Sequence, residues 1–159
     1  MTTNEFNIYI NHMHGRMLRF AKSILHSEAD AQDVVSKVSE RLWRDRTRLE
    51  AKSSASTFAM TSVRNGCYDH ARYRNRRHHE EPSNELRSGE NIESRDTIEL
   101  VRFAISQLPD KQREVLHLKD IEGYSTHEIA QILEIEATNV RMILSRARSA
   151  LKEIITKNM

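Results

Sequence analysis

The sequence contains little cysteine, proline or glycine, and each shortage argues against a class of protein. Its single cysteine, Cys67, rules out an internal disulfide framework. Four glycines and two prolines in 159 residues are too few for a turn-rich all-β fold. The chain also lacks a run of about 18 apolar residues, so we expect no membrane insertion. Its first residues, MTTNEFNIYI, do not resemble a signal peptide, and we therefore expect a cytoplasmic protein.

The composition suits small helical units with large surfaces, because 38% of the residues are hydrophobic and 30% are charged. The net charge is only +2, but the charges are distributed unevenly. Basic residues dominate positions 64–77 and 141–152, and acidic residues dominate positions 80–96 between them. Two basic patches separated by an acidic link indicate two contacts with a polyanion, although solvated helix faces would give the same pattern.

Apolar residues recur at helical spacing along both halves of the chain, and no useful stretch alternates as a strand does. The first half predicts three helices and the second half predicts four. Their approximate ranges are 5–25, 28–49, 56–77, 97–107, 112–121, 126–133 and 137–155. We therefore expect an all-α fold of two small helical domains, 5–79 and 97–156, joined by a flexible acidic linker over 80–96.

The last two predicted helices have the layout of a helix-turn-helix, in which the second helix lies in the DNA major groove. Ser125 and Glu128 predict a capping box at the first helix, and Glu134 stands at the turn. The free face of the second helix carries side chains suited to base edges and phosphates. They are Thr138, Asn139, Arg141, Met142, Ser145, Arg146 and Arg148. A plain helix pair with a solvated basic face is the alternative.

Three segments, in their order and spacing, resemble the sigma-70 family of RNA polymerase sigma factors. They are DAQDVVSKVSERLW from Asp30, RNGCYDHARYRNRR from Arg64, and LPDKQREVLHLKDIEGYSTHEIAQILEIEATNVRMILSRARSALK from Leu108. The resemblance covers about residues 8–155 and points to the small extracytoplasmic-function group of that family.

The resemblance implies a subunit that binds core RNA polymerase and gives it promoter specificity. The second domain would read the −35 element and contact the polymerase β flap. The first domain would bind and open the −10 element, with Asn65 in the pocket for a flipped base. The other residues that the resemblance and the basic pattern assign to this −10 surface are Arg64, Tyr68, Arg72, Arg74, Arg76 and Arg77.

The resemblance also assigns a polymerase-binding surface to the helix that contains Asp30. The spacing of Asp30, Asp33, Val34 and Lys37 puts them on one helical face, which would grip the clamp helices of the polymerase β′ subunit. An anti-sigma factor, wedged against both domains, is a further partner that the family implies.

Catalysis and metal binding are not expected. The sequence has no nucleophile–base constellation, glycine-rich phosphate loop or paired carboxylates, so we expect neither an enzyme nor a cofactor. Two histidine pairs occur without a second cysteine or an HExxH-type spacing, so no metal site is expected. Two other functions stay open: a stand-alone helix-turn-helix regulator, which would bind duplex DNA unaided, and a helical protein-interaction adaptor, which would bind no DNA.

Overall fold

A computed structural model describes residues 1–50, 54–78 and 96–159. Its helices are α1 (Thr3–Leu25), α2 (Glu28–Arg44), α3 (Arg46–Glu50), α4 (Ala55–His78), α5 (Thr97–Ser106), α6 (Asp110–Leu116), α7 (Thr126–Leu133) and α8 (Ala137–Lys157). A π-helical turn, His117–Ile121, continues α6. The described ranges contain no strand, so the all-α prediction is confirmed.

The predicted linker, 80–96, lies outside the described residues except for its last position. We call α1–α4 the first lobe and α5–α8 the second lobe. Helix α1 begins and α8 ends slightly beyond the predicted domain limits of 5 and 156. None of the described helices combines the length and the apolar composition needed to cross a membrane.

Local capping explains where several helices start. Thr2 and Glu5 form a capping box, which starts α1 two residues earlier than the apolar pattern predicts. The Ser27 hydroxyl accepts a hydrogen bond from the Asp30 backbone at 3.2 Å, as an N-cap should. The predicted capping box of Ser125 and Glu128 is present at the start of α7.

The helix predicted over 28–49 is in fact two helices, because the chain leaves helical geometry at Asp45 (φ −101°, ψ 27°). Side chains hold this break in place. The Arg46 guanidinium lies 4.1 Å from the centroid of the Trp43 ring, and it donates a hydrogen bond to the Trp43 carbonyl at 3.0 Å. The apolar pattern could not reveal this break, because the apolar residues of α2 and α3 keep the same helical spacing across it.

The core of the first lobe forms where α1, α2 and α4 meet. Gly66 permits the close crossing of α4 over α2: a Cβ atom there would lie 3.1 Å from side-chain carbons of both Val34 and Val38. Because both valines are buried and β-branched, they have little freedom to move aside.

The second lobe is a helix-turn-helix supported by α5 and α6. Ile129 and Leu133 of α7 are buried together with Val140 and Leu144 of α8, and the partly buried Ile135 packs against this core. Glu134 adopts the left-handed conformation at the turn (φ 57°), so the turn tolerates a side chain there.

The two lobes are in contact. Helix α1 packs against α6 and the π-helical turn, and α4 packs against α7. The buried apolar residues of both lobes form one continuous cluster. The joint between the lobes therefore includes α4, which carries the predicted −10 surface.

Candidate nucleic-acid interface

The recognition helix α8 presents its predicted DNA-binding residues to solvent. Its buried stripe, Val140, Leu144 and Ala147, packs into the second lobe. All seven predicted residues are exposed: Thr138, Asn139, Arg141, Met142, Ser145, Arg146 and Arg148. Met142 keeps 45% of its surface accessible, and an apolar side chain at such a position can contact a thymine methyl group.

Arg148 forms an ion pair with the π-helical turn. Its Nη2 lies 2.7 Å from Oδ1 of Asp120, and its Nε lies 3.4 Å from Oδ2. About half of each side chain stays accessible to water, so the pair is weak and a phosphate can replace the carboxylate.

Helix α4 presents a basic row whose charges are partly offset. Asn65, Arg72, Arg74 and Arg76 are exposed. Arg72 pairs with Asp69, and Arg74 pairs with Asp30 of α2. The predicted Arg77 belongs to α4, but its side chain lies outside the described part of the chain.

Two predicted −10 residues, Arg64 and Tyr68, lie in the joint between the lobes. They share a buried carboxylate from the second lobe, that of Glu114. Its Oε1 lies 2.5 Å from Nε of Arg64, and its Oε2 accepts a hydrogen bond from the Tyr68 hydroxyl. The Arg64 guanidinium also lies 4.9 Å from the centroid of the Tyr68 ring. Burial and then the hydrogen bond to Glu114 raise the pKa of the Tyr68 hydroxyl.

Val34, one of the four residues predicted to bind the polymerase, is only 3% exposed and packs against Gly66. Its role in polymerase binding stays a prediction. Asp33 and Lys37 are exposed, and Nζ of Lys37 lies 3.1 Å from Oδ2 of Asp33. Asp30 is half-buried and turned toward Arg74 and His70 of α4.

A second buried carboxylate, Glu122, joins the lobes beside α1. Arg19 binds it through two nitrogens, at 2.8 and 2.9 Å. His117 Nε2 lies 2.9 Å from the same carboxylate, and its ring stacks on Phe20 with centroids 5.8 Å apart. Burial alone would raise the pKa of Glu122, but the hydrogen bonds from His117 and Arg19 outweigh burial and hold this pKa at about 2.

Other polar contacts cross the joint. The hydroxyls of Ser56 and Tyr124 lie 2.6 Å apart, and the Thr61 hydroxyl donates to the Ile132 carbonyl at 3.0 Å. Arg113 donates to the Ser23 carbonyl at 2.9 Å. The joint therefore combines apolar packing with many directional bonds, as interfaces between separable domains do.

The described residues offer little reactive chemistry. Cys67 is buried in the core, and its pKa is raised to about 12 by burial and then by the charge of Glu114, so its thiol is inert at neutral pH. In the part of the chain that the structure describes, no three His, Cys, Asp or Glu side chains are grouped to hold a metal ion.

The sequence did not predict a role for Glu114 or Glu122. Glu114 reaches partners that are 50 and 46 positions away in the chain, and Glu122 reaches one that is 103 positions away. A single acid inside a helical segment gives no local signal of such a distant partner.

Comparisons with known proteins agree with the two-lobe arrangement. The family model described as Sigma-70 region 2 matches residues 9–77, and the model described as Sigma-70, region 4 matches residues 98–151. Together they span most of the chain. The chain therefore belongs to the sigma-70 family of RNA polymerase sigma factors, and the resemblance to the extracytoplasmic-function group is confirmed.

Three curated relatives are bacterial sigma factors. The chain is 24% identical to the RNA polymerase sigma-H factor of Pseudomonas aeruginosa, over 94% of this chain and 86% of the relative. It is 27% identical to the RNA polymerase sigma-E factor of Streptomyces coelicolor, over 94% of this chain and 85% of the relative. It is also 32% identical to the RNA polymerase sigma factor SigZ of Bacillus subtilis, over 45% of this chain and 40% of the relative.

Two solved structures have the same fold across both lobes. The sigma factor RpoE of Bartonella quintana, solved in complex with the anti-sigma factor NepR, superposes with a TM-score of 0.80 at 21% identity, over 97% of this chain and 98% of that one. CnrH, solved in complex with the cytosolic domain of CnrY, superposes with a TM-score of 0.76 at 20% identity, over 99% and 92%.

Proposed function

We propose that this chain binds core RNA polymerase and directs initiation at particular promoters, with α4 opening the −10 element and α8 reading the −35 element. The observation that carries the proposal is the presence, in one chain, of two basic helices in lobes that match sigma-70 regions 2 and 4. The chain catalyses no reaction itself, since the polymerase supplies the chemistry. It acts in the cytoplasm, where the polymerase works.

In the second lobe, the exposed N-terminal half of α8 enters the major groove. Arg141 and Asn139 carry the side chains best suited to guanine and adenine, and Met142 and Thr138 suit the thymine methyl group. Arg146 and Arg148 lie farther along the helix and bind phosphates. Their exposure supports this assignment.

In the first lobe, Asn65 binds the edge of a base flipped from the non-template strand. Hydrogen bonding and stacking at this site offset the few kcal/mol that unpairing a base requires. Tyr68 supplies an aromatic face, and Arg64, Arg72, Arg74, Arg76 and Arg77 bind the backbone. The polymerase clamp helices contact α2 through Asp33 and Lys37, with Asp30 at the edge of that surface.

We further propose that an anti-sigma factor binds this chain. The support is the likeness to RpoE of Bartonella quintana, which was solved with the anti-sigma factor NepR. Such a partner would hold the protein inactive until it is released.

Run-off transcription with core polymerase and a genomic promoter library tests the proposed function. The expected result is initiation at a small set of promoters that requires both core polymerase and this chain. A stand-alone regulator would instead bind duplex DNA unaided, and an adaptor would bind no DNA. Absence of core-dependent initiation on every promoter in the library would contradict the proposal.

A further inference from the structure

Glu114 is a fully buried carboxylate whose partners come from the other lobe. A carboxylate removed from water is strongly unfavourable unless cations and hydrogen-bond donors compensate for the lost hydration. Arg64 supplies the positive charge and Tyr68 supplies a hydroxyl donor, one to each oxygen. Both donors come from α4, so Glu114 is compensated only while the second lobe lies against the first.

The pair formed by Arg64 and Tyr68 is an anion-binding site. A guanidinium and a hydroxyl that point at two oxygens of one carboxylate can bind two oxygens of a phosphate in the same way. The Arg64 guanidinium also lies 4.9 Å from the centroid of the Tyr68 ring, so it covers one face of that ring. While Glu114 occupies this site, nucleic acid cannot use either side chain.

We propose that Glu114 acts as an internal phosphate mimic, which locks the two lobes together and keeps Arg64 and Tyr68 of α4 from DNA. This inference rests on the proposed function of α4 in promoter opening. Lobe closure and DNA binding at this part of α4 are mutually exclusive, because one anion at a time occupies the site. Opening the joint frees the site and exposes the charge of Glu114 to water.

The lock is reversible because the joint depends on directional polar contacts. Breaking a buried ion pair exposes both charges to water, which recovers much of the hydration that burial removed. The joint has a second such contact, between Arg19 and Glu122, and Arg19 keeps 54% of its side chain exposed. A partner or a DNA phosphate that competes for one contact therefore shifts the population toward the open form.

Two measurements on the full-length protein without polymerase test the lock. Small-angle X-ray scattering gives the radius of gyration, and fluorescence anisotropy gives the affinity for a fluorescein-labelled, 20-nucleotide single-stranded DNA pool of random sequence. Glu114→Gln keeps the shape of the side chain but removes its charge. We expect a larger radius of gyration and DNA binding at least about fivefold tighter, because a larger fraction of the protein is competent to bind.

Glu153→Gln is the matched control, since it removes one negative charge from an exposed site on α8. It should leave the radius of gyration unchanged and should change the DNA affinity by less than about twofold. Adding Arg64→Ala to Glu114→Gln should abolish the gain in DNA affinity. A gain that persists without Arg64 would overturn the phosphate-mimic assignment.

Arg19→Ala opens the joint from a different place and touches neither DNA-binding helix. It should also increase the radius of gyration and the DNA affinity, by a smaller factor. If Glu114→Gln does not fold, as judged by circular dichroism, Arg19→Ala decides alone. A compact Arg19→Ala protein with unchanged DNA affinity then overturns the inference.

The outcomes separate this inference from the proposed function. If the wild-type protein supports initiation with core polymerase but Glu114→Gln stays as compact as wild type, the lock is wrong and the function stands. If Glu114→Gln opens and binds DNA more tightly but the wild-type protein never supports initiation, the lock stands and the function is wrong.

Discussion

Helices α4 and α8 are both basic and both carry predicted DNA contacts, but only α8 presents all of them to solvent. Helix α8 packs on α5, α6 and α7 within its own lobe, so its outer face is free. Helix α4 packs on α7 of the other lobe, and Glu114 of α6 binds Arg64 and Tyr68. Under the proposed function, α8 is already free to read DNA, whereas Arg64 and Tyr68 of α4 must first be uncovered.

The two helices also differ in how their charge is offset. On α4, Arg64, Arg72 and Arg74 each pair with a carboxylate. On α8, Arg148 pairs with Asp120, and that pair is exposed. We therefore expect duplex recognition by α8 to need no rearrangement of the lobes, and engagement of α4 to require competition for its ion pairs.

The largest expected effect comes from Asn65→Ala, which tests whether α4 opens DNA. Loss of the amide removes hydrogen bonds worth about 2 kcal/mol at a base edge, so open-complex formation should fall roughly 30-fold. Permanganate reactivity of unpaired thymines in the −10 element measures the opening.

Core-polymerase affinity, measured by native gel shift, should stay unchanged in Asn65→Ala. Asn75→Ala is the matched control, because Asn75 is also exposed on α4 but lies almost three turns away. Loss of core affinity in Asn65→Ala would mean that this part of α4 faces the polymerase.

Arg141→Ala tests the other side of the comparison, helix α8. Removing a bidentate contact to guanine should weaken discrimination of the −35 element about tenfold. Competition transcription between promoters that differ only in that element gives the measurement. Arg102→Ala, an exposed arginine of α5, is the control and should have little effect. Because α8 is already free, adding Glu114→Gln should leave the size of the Arg141→Ala effect unchanged, and a large change would show that α8 also depends on the joint.

Acid should weaken the joint through protonation of Glu122. The pKa of Glu122 falls from an ordinary value of 4.5 to about 2 in the folded protein, so its stabilising contribution is fully present above pH 4.5. The contribution is lost as pH falls from about 4.5 toward 2. Because Arg19 is half exposed and solvent screens it, we expect about 1 kcal/mol.

Urea unfolding of wild type and Glu122→Gln from pH 7 to pH 3 measures this contribution. The stability difference between the two proteins should be largest at neutral pH and shrink below about pH 4.5, because only wild type carries the titrating carboxylate. His117 and Arg19 face this carboxylate, and Arg19 keeps its charge throughout. A difference that stays constant with pH would show that Glu122 does not titrate in this window.

The smallest effect should follow Arg148→Ala, which removes one proposed phosphate contact of α8. The slope of log affinity against log salt for duplex promoter DNA, measured with the holoenzyme, should decrease by about one unit without a change in sequence preference. The melting temperature should change by less than about 2 °C, because the ion pair with Asp120 is exposed. An altered sequence preference would instead assign Arg148 to base recognition.

Some local features of the fold could be predicted from the sequence. The capping residues Ser27, Ser125 and Glu128 act over three positions, and the helix-turn-helix around Glu134 follows from apolar spacing. The break at Asp45 could not be predicted, because the apolar pattern continues through it. The side chain of Arg46 holds the break, and the apolar spacing does not reveal that contact.

In the candidate site, too, some features could be predicted from the sequence and others could not. The exposed face of α8 was predictable, since burial of one helical stripe leaves the opposite face to solvent. The spacing that put Val34 on the predicted polymerase-binding face did not reveal that the crossing at Gly66 buries it.

By itself, the sequence determined the all-α class, most helix ends and the family, and it predicted which residues meet DNA. Each follows from interactions within a few positions or from motifs in a fixed order. Only the tertiary structure decided which of those residues are available. Glu114 lies 50 positions from Arg64, and no periodicity connects them. Packing of the second lobe on the first brings them together, and the Arg64 guanidinium matches the carboxylate that is buried in the joint.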